Sequence, residues 1–367
     1  KITYDAAAKM RDNDFWADHR TTKLTKSEAG MDSFIKNMSK TKHFKWIMFA
    51  SKALIENFVE TGSEKTPSKV DIGPVNTFIS KNFVDGIRLR ASARTTAKFN
   101  PHWFFEGYYA YGTKSHRSYY DAKVTYSFNK PEYQPIEFPI RTLSFESNKD
   151  VESPSDKYLV HNKDNIFMTF RPVKVEKMSF INRQKLNFMW ETDYGLATSV
   201  ELRTESNVPT GKLIYEKMDG SLVDKVRMTE LIVGLDYRPG QSYVNSKQQR
   251  MAVNLDAPEF KITHTMGIQN FLGSDFNTNL TEVSVYKRFW LGSWGHVDTR
   301  LQAGAQWNKV PFPFLITPPV NTSYFEHLET FNLMESLEFL NDRYAQFNLA
   351  WDLEGKLFNR LPLIKKL

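Results

Sequence analysis

Alternating apolar and polar residues dominate the chain from about residue 67 onward. Residues 87–99 are the clearest case, because every second residue from Ile87 is apolar or small and the residues between are mostly cationic. A period of two is typical of a β-strand whose two faces meet different surroundings. This stretch is longer than the usual five or six residues of a globular strand, and nearer the roughly 9 to 11 that cross a bilayer at a tilt.

The same alternation recurs down the chain and indicates roughly ten to twelve strands. Further predicted strands cover residues 103–114, 119–128, 196–204, 231–237, 251–255, 260–268, 283–291, 297–307 and 345–353. We expect neighbouring strands to be joined in meander order. The predicted fold class is all-β, an antiparallel up-and-down transmembrane β-barrel of which this chain is a part.

Residues 1–66 have a helical period instead. Thr25 and Glu28 have the spacing of a capping box, and apolar residues then recur at helical spacing over 31–38 and 44–58. We expect a short helical segment in the periplasm or plugging the barrel. Because the segment is rich in lysine, a helix lying on the membrane surface is the alternative.

Two proline-containing interruptions break the alternation within residues 67–367. Residues 130–192 are predicted to be a long insertion, either a loop or a mixed small element, and residues 311–338 are predicted to be a second insertion. Loops of this length in a barrel fold over the rim or into the lumen.

The composition fits a wall with two unlike faces. Aromatic residues make up 14% of the chain and charged residues 25%, while the mean hydropathy is −0.50. No apolar run reaches the roughly 18 residues of a transmembrane helix, so a membrane-spanning form of this chain would use strands. Aromatic clusters at 102–105, 108–111 and 289–294 are predicted to form a girdle at the lipid head groups; the alternative is the core of a soluble β-sandwich.

Charge and motifs exclude several functions. The net charge of +7 would favour nucleic acid only if the basic residues were clustered, and here they alternate along strands. The eight histidines contain no pair at i, i+4, and the chain has no Gly-x-Ser-x-Gly, Walker or Gly-x-Gly-x-x-Gly motif. We therefore predict no catalytic, cofactor-binding or metal-binding residue, no enzyme activity and no nucleic-acid partner. Residues 292–296 are interpreted as a turn.

One constellation of charges is the main candidate site. The cationic face of residues 87–99 carries Arg88, Arg90, Arg94 and Lys98. Either it is a water-facing lumen wall balanced by acids such as Glu106 and Asp121, or it is a cationic lumen that guides an acidic client or an anionic lipid head group.

A second candidate lies at the predicted start of a late strand. Asp342, Arg343 and Tyr344 stand directly after the 311–338 insertion. We expect this triplet to anchor the preceding loop by a salt bridge.

Several stretches resemble an outer-membrane family of Bacteroidota of unknown function, whose members often begin with a carboxypeptidase-regulatory-like domain. The matching stretches are residues 70–74, 85–90, 105–112, 339–345 and 355–363. That family is similar to the outer-membrane assembly and translocation superfamily, although the superfamily's lumen motif Val-Arg-Gly-Phe or Val-Arg-Gly-Tyr is absent here.

The resemblance implies an outer-membrane location in a Gram-negative bacterium. It also implies a role in outer-membrane biogenesis, as one subunit of a larger complex that assembles, inserts or exports other proteins. The expected partners are outer-membrane lipid and other outer-membrane or periplasmic subunits. A passive pore or transport component is the alternative function. The regulatory-like domain and the final strands are expected to lie outside this chain.

Overall fold

The computed structural model describes residues 15, 25, 38, 41–63, 66–159, 162–169, 175–217, 219–321 and 329–356. The chain divides into two compact units, residues 1–57 and 58–367. In the first unit the described element is helix α1 (Lys42–Glu56), which follows Thr41 and ends at Asn57 in a left-handed conformation. This is the helix predicted over 44–58, whereas most of 25–38 lies outside the described residues.

The second unit is almost entirely β-structure. Its described strands are β1 (Val59–Glu60), β2 (Val70–Ile72), β3 (Ile79–Asn82), β4 (Gly86–Thr95), β5 (Trp103–Gly112), β6 (Ser118–Ser127), β7 (Arg141–Glu152), β8 (Lys177–Glu191), β9 (Leu196–Gly211), β10 (Val226–Tyr237), β11 (Tyr243–Asn245), β12 (Arg250–Ala252), β13 (Glu259–Gly267), β14 (Thr278–Trp290), β15 (His296–Gln306) and β16 (Arg343–Asp352). A short helix, α2 (Ile166–Thr169), lies between β7 and β8. No helix in the described ranges is long and apolar enough to cross a membrane.

Fourteen of these strands form one antiparallel sheet in which sequence neighbours are sheet neighbours. The order runs from β1 through β2, β4 to β10 and β13 to β16, with β3 beside β2 on the same edge of β4; β11 and β12 pair only with each other. The prediction of an antiparallel up-and-down sheet is confirmed. Within the described residues β16 pairs only with β15, so this sheet is not closed into a barrel.

Three sequence predictions need correction. Residues 130–192 are not one insertion, because they contain the whole of β7 and β8, which pair with each other over twelve residues. The alternation fades there because the outward residues of β7 change from Leu143 and Phe145 to Ser147 and Lys149. The strand predicted at 251–255 is only the short β12.

The strand predicted at 87–99 also ends early. β4 stops at Thr95, and the Phe99 N–H donates to the Thr96 carbonyl at 2.9 Å to close a turn. Pro101 follows shortly after, and proline disfavours continuation of a hydrogen-bonded strand. Lys98 therefore lies in a turn and not on the strand.

The sheet curves so that its loops meet across the concave side. The β11–β12 hairpin reaches the first edge of the sheet, where the Lys247 ammonium is 2.8 Å from Glu60 and the Gln248 amide donates to Asp71 at 3.2 Å. Farther along, Lys157 of the β7–β8 loop donates to the Phe314 carbonyl of the β15–β16 loop at 3.4 Å. Loops thus cross the interior from strands that are far apart in the sheet.

Candidate functional site

The outer, convex face of the sheet is apolar and exposed. Strand register places Val285, Leu301 and Phe347 side by side, and the Leu301 and Phe347 side chains are 53% and 63% exposed. The same face exposes Ile87, Leu89, Trp103, Phe105, Tyr109, Tyr120, Leu143, Phe145, Leu186, Phe188, Trp190, Val200, Leu231, Leu235, Tyr237, Phe260, Ile262, Met266, Val283, Phe289, Leu349 and Trp351. An exposed apolar surface this continuous marks an interaction surface, and a water-soluble sheet buries such a face.

The inner face shows the opposite distribution. Its buried residues include Arg88, Ser92, Thr125, Ser127, Thr142, Ser144, Asn148, Asp150, Ser179, Glu191, Glu205, Asn207, Glu230, Thr265, His296 and Gln306. Buried charges are rare in globular proteins unless paired, and here Arg88, Asp150, Glu191, Glu205 and Glu230 are buried. The distribution is inverted relative to that of a soluble β-protein.

The interior is acidic, not cationic, in spite of the net positive charge of the chain. The strand alternation directs inward the acids Glu106, Asp121, Glu146, Asp150, Glu152, Glu191, Glu201, Glu205, Glu230, Asp236, Glu259, Glu282, Asp298 and Asp352. The inward bases are fewer: Arg88, Arg90, Arg94, Lys123, Lys177, Arg183, Lys185, Arg203, Lys261, Arg288 and Arg300. The hypothesis of a cationic lumen therefore has no support from the inner face as a whole.

The apolar band covers one end of the sheet more fully than the other. We call the end with the short 96–102, 192–195 and 291–295 connections the turn end, and the opposite end the loop end. On β8 the outward residues are apolar from Trp190 to Leu186 and become polar at Gln184. The next outward residues of β7 to β9 toward the loop end are also polar: Ser147, Lys149, Asn182, Thr204 and Ser206.

Aromatic rings stand at both margins of the outer face. At the turn end Trp294 packs near Trp351, with ring centroids 6.3 Å apart, and Trp103 packs edge-on against Tyr126 at 5.1 Å. Toward the loop end Tyr109 is exposed. This placement is what a girdle requires, and its membrane role remains a prediction.

A buried ion cluster ties β4 to the β7–β8 loop. Its members are Asp85, Arg88, Arg90, Asp150, Lys163 and Asp164. Arg88 is fully buried and lies 2.5 Å from Asp150, 3.5 Å from Asp85 and 3.6 Å from Asp164. Arg90 reaches Asp164 at 3.2 Å, and Lys163 reaches Asp150 at 3.0 Å.

Tyrosines complete the cluster. The Tyr108 hydroxyl donates to Asp150 at 2.6 Å and the Tyr119 hydroxyl donates to Asp85 at 2.5 Å. The Arg90 guanidinium also lies 3.6 Å from the centroid of the Tyr108 ring. Since three cations face three carboxylates, the cluster is neutral, and it fixes the β7–β8 loop against the inner wall.

The predicted cationic stripe is therefore divided. Arg88 and Arg90 belong to the ion cluster, whereas Arg94 donates to Gln248 and stacks 3.6 Å from the Phe58 ring. Lys98 is exposed in the turn after β4. The four residues do not form one continuous surface.

Of the expected counter-charges, Glu106 is the cross-strand neighbour of Arg94 and attracts it. Glu106 lies 3.8 Å from Lys123, and Asp121 accepts a hydrogen bond from Asn148 at 2.9 Å. Sequence reasoning missed Asp85, Asp150 and Asp164. Asp85 could have been found, because it stands three residues before Arg88, but the other two come from distant parts of the chain.

The triplet 342–344 does begin a strand, but it does not form the expected salt bridge. Neither Asp342 nor Arg343 has an ion pair in the part of the chain that the structure describes. The loop is held instead by paired backbone bonds between Ile316 and Asn341, at 2.8 and 2.9 Å. Tyr344 adds a hydroxyl hydrogen bond to Glu282 at 3.4 Å.

The β7–β8 loop is predicted to be held more firmly in mild acid. Burial and the nearby Glu152 carboxylate raise the pKa of Asp156 to about 7, although the Ser153 N–H donates to its carboxylate at 2.8 Å. Asp156 keeps its proton in the folded state up to about pH 7, whereas an unfolded aspartate loses it near 4. Stability of the loop should therefore fall as the pH rises through this window.

Amide hydrogen exchange of residues 153–159, corrected for intrinsic rates, should show more protection at pH 5.5 than at pH 8. Asp156→Asn should remove this difference, and Asp219→Asn, in the exposed β9–β10 loop, should leave it in place. If the Asp156→Asn variant still shows more protection at pH 5.5 than at pH 8, another titratable group causes the effect and the prediction is wrong.

The described residues include no group of three His, Asp or Glu side chains placed to hold a metal ion. The candidate site therefore consists of the apolar outer face and the buried ion cluster. The arrangement of the described residues does not support any of the reaction types considered from the sequence.

Comparison with known proteins places the chain in a family without assigning a function. Residues 176–367 match the C-terminal domain of a family of unknown function, DUF5686. No curated protein matches the chain. The matched segment begins just before β8 and includes the strands through β16. Because it covers more than half of the sequence, the chain belongs to the DUF5686 family.

Proposed function

We propose that this chain forms part of a bacterial outer-membrane β-barrel that works in outer-membrane biogenesis, assisting the assembly, insertion or export of other proteins as a subunit of a larger complex. The observation that carries the membrane part is the inverted sheet, which is apolar and exposed outside and polar and charged inside. Lipid would cover the outer face, while water and loops fill the interior.

The free edges of the described sheet fit this proposal only if they are paired in the membrane. An unpaired strand edge in lipid leaves backbone N–H and C=O groups without partners, at several kcal/mol for each group. β16 on one side and the β1–β3 edge on the other therefore require partner strands.

The filled interior favours biogenesis over a passive pore. The β7–β8 and β15–β16 loops meet across the interior, and the β11–β12 hairpin crosses to Glu60 and Asp71. A steady pore requires an open polar path, and ion-paired loops on that path obstruct it. The resemblance to Bacteroidota outer-membrane proteins and to the assembly and translocation superfamily supports the same choice.

Loop lengths suggest the orientation. Barrels of this kind have short periplasmic turns and longer extracellular loops. Here the two longest connections, 153–176 and 307–342, are at the loop end, whereas the turn end has the short 96–102, 192–195 and 291–295 beside the longer 128–140 and 238–258. In this proposal the turn end faces the periplasm.

The proposal is tested by purifying the full-length protein from native outer membranes in mild detergent and identifying its stoichiometric partners by mass spectrometry. An abundant porin purified in the same way is the control for adventitious partners. We expect barrel-assembly or secretion subunits to accompany the protein but not the porin. A lone protein with steady conductance in planar bilayers would contradict biogenesis and support the pore.

A further inference from the structure

A cavity of about 270 Å³ lies between the inner face of β14–β16 and the loops that fill the interior. One wall is polar and is formed by Glu282, Tyr344 and Gln302 on the strands, with Tyr158 from the β7–β8 loop. The facing wall comes from the β15–β16 loop and includes the apolar Phe331 and Met334. The space far exceeds the roughly 10–15 Å³ that one water requires, so it admits a small organic group.

Two hydroxyls at this cavity lack hydrogen-bond partners among the described residues. Thr317 is only 2% exposed and lines the cavity, and no described group bonds to its Oγ1; the same is true of the buried hydroxyl of Tyr158. A buried polar group without a partner costs about 1–3 kcal/mol. Two such groups beside one cavity indicate that its occupant forms hydrogen bonds.

The charged side chains that line the cavity indicate which kind of ligand it binds. Glu329 is neutralised by Arg300 at 2.9 Å, but Glu282 has no salt bridge among the described residues. Lys157 and Lys261 attract Glu282, but neither lysine forms a salt bridge with it and neither lines the cavity. Among the residues that line the cavity, the carboxylate without a salt bridge is therefore Glu282, which accepts a hydrogen bond from the Tyr344 hydroxyl at 3.4 Å.

We propose that this cavity binds the side chain of a lysine from another protein. A lysine combines an ammonium group, which suits Glu282 and the two tyrosines, with a stem of four methylene groups, which suits the apolar wall. The Glu282 carboxylate would repel the phosphate of an aminolipid head group, which lies two carbons from its nitrogen. The chemistry therefore favours a protein lysine over an ethanolamine lipid.

Saturation-transfer NMR on the full-length protein in detergent tests this inference with three probes. Nα-acetyl-lysine amide should bind, its norleucine counterpart should bind at least about tenfold more weakly because it lacks the charged donor, and phosphoethanolamine should not bind. Glu282→Gln should weaken lysine binding about tenfold. Glu259→Gln, an inward acid paired with Arg238 at 3.2 Å, is the matched control and should leave binding unchanged.

Thr317→Val is a second variant in case Glu282→Gln fails to fold, and it should weaken lysine binding about threefold through the lost hydroxyl. Equal binding of the norleucine probe, preference for phosphoethanolamine, or no binding of the lysine probe to the folded wild-type protein would overturn the proposal. These results do not depend on whether the chain works in biogenesis.

Discussion

Replacing Leu301 by arginine is expected to lower the free energy of unfolding from a bilayer by about 2–4 kcal/mol, the cost of a cation near the middle of the lipid-facing band of a barrel. Leu301 is central on the outward face of β15 and lies between Val285 and Phe347. The three residues form an apolar strip that offers the guanidinium no acid. The measurement is reversible urea unfolding of the protein reconstituted into vesicles.

Gln184→Arg is the matched control. Gln184 is also outward, on β8, but it lies between Ser147 and Thr204 beyond the apolar band. We expect a change within about 0.5 kcal/mol there, as for ordinary surface positions. Equal losses at both positions, or no loss at Leu301, would contradict a lipid-covered outer face.

Arg88→Met should cost about 3–5 kcal/mol of folding stability, because it leaves buried carboxylates without their central cation. Arg88 is fully buried and contacts Asp85, Asp150 and Asp164. The methionine side chain nearly preserves the volume of the stem, so the loss reports the charge and not a cavity. Urea unfolding in detergent is the assay.

The double variant Arg88→Met/Asp150→Asn restores neutrality and should be less destabilised than the sum of the two single variants by about 0.5–3 kcal/mol. Lys98→Met, from the same predicted stripe but exposed, should change stability by less than about 0.5 kcal/mol. An Arg88 variant as mild as the Lys98 variant would show that the ion cluster does not hold the loop.

Periodicity is sufficient to predict the antiparallel sheet, because strands such as β4 and β16 alternate strictly between unlike environments. It fails where the outward residues also become polar. β7 and β8 were missed for this reason, since Ser147, Lys149 and Gln184 remove the contrast on which the pattern depends.

The candidate site was predictable only in part. Arg88 and Arg90 could be identified as inward cations from β4 alone. Their partners Asp150 and Asp164 are 62 and 74 residues away from the arginines that they bind. No local spacing connects such residues, because the curvature of the sheet and the folding of the β7–β8 loop bring them together. For the same reason, the positive net charge of the chain did not indicate that the inner face carries more acidic than basic residues.

Site-directed spin labelling tests the central claim most directly, because the chain has no cysteine and single labels can be placed cleanly. Two adjacent pairs compare the faces, outward Val200 with inward Ser199 and outward Phe105 with inward Glu106. In the reconstituted protein, labels at 200 and 105 should be accessible to lipid-soluble oxygen, and labels at 199 and 106 to a water-soluble nickel chelate. Nickel access at 200 and 105 as high as at their neighbours would contradict the membrane-facing surface.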